Sequence, residues 1–105
     1  MLKVGGENVA ASEVERVVNI LEGVAESAVV AKPDKMLNEV PVVFVIPRPG
    51  ADLPALEEEI NAACIQALAD FKRPREVRFV DSMPRSNLEK IAKAKLRDQL
   101  VAEMA

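Results

Sequence analysis

The chain of 105 residues has no histidine, tryptophan or tyrosine, one cysteine and three phenylalanines. Without His there is no Ser/His or Cys/His nucleophile pair and no imidazole metal site. The single Cys64 excludes an internal disulfide. Its neighbours Ala62, Ala63, Ile65 and Leu68 read as the setting of a buried, inert thiol. Three Phe without Tyr or Trp do not make a base-stacking platform. Charge of one sign is also scarce: 14 basic and 17 acidic residues leave a net −3. Such a balance argues against DNA or an anionic membrane as a bulk electrostatic partner. No apolar run approaches the roughly 20 residues that cross a bilayer. The opening Met1-Leu2-Lys3-Val4-Gly5-Gly6 lacks the apolar h-region of a signal peptide. A soluble, cytoplasmic protein with neither nucleic acid nor membrane as partner is expected, and most self-contained catalytic machinery is excluded.

What is present is enough for one small domain, since half the residues are apolar. Gly5-Gly6 between Leu2-Lys3-Val4 and Glu7-Asn8-Val9 predicts a two-residue hairpin, because glycine supplies the positive φ of a tight turn. Val14, Val17, Val18 and Leu21 follow helical spacing. Ser12 and Glu15 have capping-box spacing, and Gly23 is a natural stop. Ala28-Val29-Val30-Ala31 is a short apolar run ended by Lys32-Pro33-Asp34. Residues 42–46, Val-Val-Phe-Val-Ile, predict a strand bounded by Pro41 and Pro47 and buried on both faces. Asp52 and Pro54 open a second helix, with Glu57, Glu58 and Glu59 near its positive end. Its stripe is Leu56, Ile60, Ala63, Cys64, Ala67, Leu68 and Phe71, and Pro74 blocks continuation. Val77-Arg78-Phe79-Val80 reads as a third core strand, Pro84-Arg85-Ser86-Asn87 as a loop, and a basic helix runs from about Glu89. The expected fold is α+β: a small N-terminal β-hairpin plus a core sheet of about three strands flanked by three helices.

Two segments carry candidate chemistry. In Lys3-Val4-Gly5-Gly6-Glu7-Asn8-Val9 the glycines let a backbone lie close to a ligand; the plainer reading is a hairpin turn and nothing more. In Met83-Pro84-Arg85-Ser86-Asn87-Leu88-Glu89-Lys90-Ile91, Lys90 is a mobile point charge suited to phosphate. The plainer reading there is a solvated basic face shared with Lys93, Lys95 and Arg97. A lysine near a helix N-terminus is unfavourable to the helix, which points to a role elsewhere.

Lys3-Val4-Gly5-Gly6-Glu7-Asn8-Val9 followed by Glu13-Val14-Glu15 resembles the opening of the C-terminal domain of adenylate-forming enzymes. The similarity continues through Val29-Val30, the stretch from Asn38 to Val45, and Phe71-Lys72-Arg73-Pro74. It ends in Phe79-Val80-Asp81-Ser82-Met83-Pro84-Arg85-Ser86 and Lys90-Ile91. Gly-Glu-Asn-Val looks more like an acyl-CoA synthetase than a peptide-synthetase domain, and Met36-Leu37-Asn38-Glu39-Val40-Pro41 is similar to carnitine- or crotonobetaine-type ligases.

The resemblance implies a two-step reaction, of the kind that serves fatty acid metabolism. A carboxylate attacks the α-phosphate of ATP to give an acyl-adenylate and pyrophosphate; coenzyme A then gives the thioester and AMP. It implies a mobile lid that rotates between the steps against an N-terminal adenylation domain of the same enzyme. Lys90 is then the catalytic lysine of the first step, and Gly5, Gly6 and Glu7 line the coenzyme A channel in the second. Coenzyme A and acyl-adenylate meet at the domain interface. ATP, Mg²⁺ and coenzyme A belong to the full enzyme, with no cofactor bound by this domain alone. The ATP-binding motifs and hinge are expected upstream of Met1, so the isolated chain is expected to be inactive, whether an excised piece or a separate subunit. Two positions depart from the family pattern. Glu89 stands where glycine is usual, free to pair with Lys93 or to neutralise Lys90 in part, and Ala10 stands where Ser or Thr usually caps the helix. Glu89 favours the alternative of a free-standing, non-catalytic binding or regulatory module; Lys90 and Gly5-Gly6 favour the enzyme part.

Overall fold

The computed structural model describes residues 2–85 and 90–104. Ser86, Asn87, Leu88 and Glu89, with the pairings expected of Glu89, lie outside the described residues. Strands β1 (Leu2–Val4) and β2 (Glu7–Val9) form the hairpin, and helix α1 (Ala11–Asn19) follows. The long strands β3 (Val24–Asp34) and β4 (Asn38–Pro47) come next, then α2 (Leu53–Ala67), β5 (Glu76–Phe79) and α3 (Lys93–Met104). The α+β class holds, with one refinement. The hairpin belongs to the core sheet, because Val4 pairs with Asn38 and the order is β2-β1-β4-β3 with β5 also on β4.

β4 organises the sheet. It pairs antiparallel with β3 along its whole length and parallel with β5 from Val42 to Val45. Alternate side chains point to opposite faces. Val43 and Val45 therefore join one cluster with Val14 and Val18 of α1 and Leu56, Ile60 and Cys64 of α2. Val42 and Phe44 join another with Ala28, Val30, Met83 and, from α3, Leu96 and Leu100. Burial on both faces, expected from the unbroken apolar run, is what the sheet does.

The strands run further than the prolines suggested. Pro41 sits inside β4, and its carbonyl accepts the Arg75 N–H at 2.8 Å. In an extended strand a residue's N and C=O face the same side, so the Pro41 nitrogen points away from β3 and no bond to it is lost. Pro33 lies within β3, which among the described residues pairs only with β4 and so forms an edge. That edge is covered: Glu15 accepts the Val29 N–H at 2.8 Å, and Arg97 Nε donates to the Ala31 carbonyl at 3.2 Å. Charged side chains over an edge block pairing with another chain.

The helices correct several boundaries. Ala10 is the N-cap of α1 without a side-chain bond, and Ser12 lies exposed inside the helix, so the capping box does not form. α1 ends at Asn19, ahead of Gly23. Gly23 serves close packing instead, since a Cβ there would lie 3.0 Å from Leu56 Cδ1. In α2, Asp52 accepts the Ala55 N–H at 3.4 Å. Leu56, Ile60, Cys64 and Leu68 are buried as the stripe predicts, while Ala67 is exposed. Burial pushes the Cys64 thiol up, against a smaller opposing pull from Arg73, as suits an inert thiol. β5 is half-buried, with Val77 and Phe79 packed against the core and the strand paired to β4. α3 starts at Lys93, so Lys90 precedes the helix instead of occupying its first turn.

Two stability outcomes follow. Ile60 is fully buried, and Ile60→Ala should cost about 2–5 kcal/mol in urea unfolding, whereas Met36→Ala, at 92% exposure, should stay within about 0.5 kcal/mol. Equal costs would contradict the assigned core. Glu76 is held below the usual carboxylate range, first by the Lys32 ammonium at 2.6 Å and further by Arg78, against partial desolvation. Its folded value is depressed, so its contribution is present above the unfolded value and lost as pH falls through the folded one. Glu76→Gln should therefore flatten the fall of the urea midpoint on acidification; parallel curves for the two proteins would refute this.

Candidate functional site

Lys90 stands exposed immediately before Ile91, which belongs to a backbone clamp ahead of α3. The clamp is an antiparallel bridge between Arg85 and Ile91, reinforced by the Ala92 N–H donating to the Pro84 carbonyl at 2.8 Å. Met83, buried, and Ile91, partly buried, seat this base in the cluster under α3. Its two arms carry ion pairs. Arg85 pairs with Glu26 at the start of β3, and Lys93 Nζ lies 2.6 Å from a Glu15 carboxylate oxygen on α1. Glu15, Glu26, Ser27, Arg85, Lys90 and Lys93 border an open cleft of about 630 Å³, with Ile91, Ala92 and Ala94 adding an apolar side. Ser27 is directed elsewhere, its hydroxyl donating to Asn19 at 2.7 Å. Lys90 is thus an ammonium at the rim of a cleft whose borders hold both signs of charge. Such a group can approach an anion presented from outside.

The second segment is a tight turn. Gly5 and Gly6 have φ of +57° and +88°, the region in which a Cβ is strained. The Gly5 N–H donates to the Leu37 carbonyl at 2.8 Å, and a Cβ on Gly5 would come 3.3 Å from Leu37 Cδ2. Nothing lies within 4 Å of the corresponding point on Gly6, and Glu7 is exposed. The glycines thereby meet the requirement of the plain reading, a hairpin turn, and also leave an open backbone surface at Gly6. The β3–β4 tip beside them is shaped by Asp34, which accepts the Met36 and Leu37 N–H groups at 3.1 and 2.8 Å, and by Asn38 at φ 73°.

The two segments are not brought together. Lys90 shares its cleft with Glu26 and Ser27 at the start of β3, whereas Gly5 abuts Leu37 just beyond its end. From Ser27 to Asp34 the strand advances about 23 Å, at roughly 3.3 Å per residue. Lys72 and Arg73, part of the Phe71-Lys72-Arg73-Pro74 stretch that carries the resemblance, are engaged within the fold. Lys72 holds Glu13 at 3.0 Å, and Arg73 caps the end of α2 by donating to the Leu68 and Ile65 carbonyls, each at 3.1 Å. Sequence reasoning missed the roles of Glu15 and Glu26. Neither spacing nor composition signals them, because their partners, Lys93 and Arg85, lie far along the chain.

Known proteins share both sequence and fold. Residues 13–90 match the family model described as AMP-binding enzyme C-terminal domain. The chain is 46% identical over 95 residues to a 3-[(3aS,4S,7aS)-7a-methyl-1,5-dioxo-octahydro-1H-inden-4-yl]propanoyl:CoA ligase of Rhodococcus jostii (strain RHA1), covering 90% of this chain and 18% of that protein. It is 40% identical over 103 residues to the 4-chlorobenzoate–CoA ligase of Pseudomonas sp. (strain CBS-3), covering 97% and 19%. The crystal structure of the anthranilate CoA ligase AuaEII with anthranoyl-AMP superposes with a TM-score of 0.91 at 36% identity, over 100% of this chain and 21% of that one. The chain thus spans about a fifth of the length of these relatives. The family match covers most of the elements just described, from α1 to Lys90, so the chain belongs to the AMP-binding enzyme C-terminal domain family.

Proposed function

We propose that this chain works as the C-terminal domain of an AMP-forming acyl-CoA ligase, bringing Lys90 to the adenylation step and the Gly5-Gly6-Glu7 turn to the thioester step. The observation that carries the reading is the separation of the two segments to opposite ends of the β3–β4 hairpin. A domain built that way can meet one reaction centre with only one of them at a time, so two half-reactions require it to reorient. The relatives are CoA ligases by name, and the AuaEII structure holds an acyl-adenylate; both support this chemistry.

In the first step negative charge accumulates around the α-phosphate as the carboxylate attacks. An ammonium delivered on a clamped segment neutralises it without reorganising at the moment of reaction. In the second step a thin pantetheine arm needs a wall without side chains, and the open face of Gly6 suits it. Among the described residues no group of three or more His, Cys, Asp or Glu could hold a metal ion. Mg²⁺ would travel with the ATP phosphates on the ATP-binding domain, the proposed partner. No helix among the described residues is long and apolar enough to cross a membrane.

The test uses this chain joined to its ATP-binding domain. Lys90→Ala should slow acyl-adenylate formation by about a hundredfold or more while thioester formation from supplied acyl-adenylate stays near wild type. Equal loss in both steps, or none, would favour a non-catalytic module instead. For the turn, Gly6→Asn suits better than a bulky apolar residue, because asparagine tolerates positive φ. It should slow the thioester step by about tenfold and spare adenylation; unchanged kinetics with coenzyme A would remove the turn from the channel.

A further inference from the structure

We propose that Glu15 is a positioning residue for Lys90, holding the lysine segment in register with the sheet from the opposite face. The inference rests on the reading of Lys90 given above. α1 packs on the face of Val43 and Val45, and α3 on the face of Val42 and Phe44. The Glu15 carboxylate reaches round the edge strand that separates them. Its Oε2 accepts the Val29 N–H of β3 at 2.8 Å and meets Lys93 Nζ at 2.6 Å. Glu15 is thereby fixed to the backbone of the sheet. Lys93 opens α3, three residues beyond Lys90, so the pair ties the outgoing arm of the lysine segment to the sheet edge.

The other ties do different work. The Arg85–Ile91 bridge and the Ala92 to Pro84 bond hold the two arms to each other, not to the rest of the domain. Met83 and Ile91 set the depth of the base through apolar contact, which has no directional preference. The Arg85–Glu26 pair anchors the incoming arm, but both side chains are about a third exposed or more, at 32% and 41%. Glu15 is the more enclosed acid, with its side chain 18% exposed, and the only one of the two that also bonds a backbone amide among the contacts described. At its start the outgoing arm is held to the sheet edge by Glu15, and one turn further on α3 is held by Arg97 at the Ala31 carbonyl. A lysine displaced by an ångström from a developing charge loses much of its effect.

Four variants in the two-domain enzyme test this: Glu15→Gln, Lys93→Gln, the two combined, and Glu15→Gln on Lys90→Ala. Glutamine keeps an oxygen for the Val29 N–H and removes only the charge that holds Lys93. Single-turnover formation of acyl-adenylate should fall about tenfold in each single variant, with thioester formation from supplied acyl-adenylate within about twofold. The combined variant should be no worse than either single one, as expected of two residues acting as one contact. In the Lys90→Ala background Glu15→Gln should add nothing. Unchanged adenylate formation, equal loss in both half-reactions, additive losses, or a further fall without Lys90 would each overturn the assignment. If Glu15→Gln does not fold, Lys93→Gln carries the test alone, since it breaks the pair from the more exposed side. Should Lys90→Ala itself spare adenylation, the reading of Lys90 has failed. Should it slow adenylation selectively while the Glu15 and Lys93 variants do not, only the positioning role has failed.

Discussion

A strand with apolar side chains on both faces has no side that water can occupy, and β4 is such a strand. Val43 and Val45 on one face and Val42 and Phe44 on the other are each at most 3% exposed. Each buried side chain of this size is worth about 1.5–3 kcal/mol relative to exposure, so both faces must be covered. α1 and α2 cover one and α3 the other, while β3, β1 and β5 take up the backbone groups of β4 along its edges. The three-layer arrangement follows from this one requirement. The position of the lysine segment follows too, since its base sits in the layer under α3.

Ion pairs then settle what apolar packing leaves undetermined. Glu13–Lys72, Glu15–Lys93, Glu26–Arg85 and Glu39–Arg97 each join parts of the chain more than fifty residues apart. Pairs of this kind on a partly exposed surface contribute roughly 0–1 kcal/mol apiece, so the fold does not rest on them. Their value lies in direction. Contact between aliphatic groups tolerates sliding, whereas Glu15 and Glu39, each also bonded to a backbone amide, hold their partners in a set direction. For a domain whose proposed task is to present one ammonium to another domain's phosphate, that matters more than the small stabilisation.

The long β3–β4 hairpin also acts as a spacer. Lys90 lies near one end and the glycine turn near the other, and a rigid two-stranded core keeps them apart. In a smaller domain both would crowd one face. The separation suits the proposed reaction, in which the carboxyl group is activated first and transferred second, each step with its own requirement: concentrated positive charge in one case, an unobstructed backbone in the other.

The amino-acid sequence by itself determined the hairpin, the two-sided burial of residues 42–46, the buried thiol of Cys64 and the start of α2 at Asp52. Each depends on neighbours within a few positions, where periodicity and turn chemistry act. It also carried the family, through the order of its short motifs, and with it Lys90, Gly5, Gly6 and Glu7 as candidates. Local signals failed where tertiary partners override them. Ser12 and Glu15 have capping spacing, yet Glu15 is drawn to Val29 and Lys93. Pro33 and Pro41 looked like strand ends, yet an edge and a gap between neighbouring strands leave them no bond to break. Only the folded chain decided that the hairpin joins the main sheet, that α3 begins after Lys90, and that the two candidate segments lie at opposite ends of one hairpin. Those are relations between residues tens of positions apart, and no local pattern encodes a distance that is set by which layers pack together.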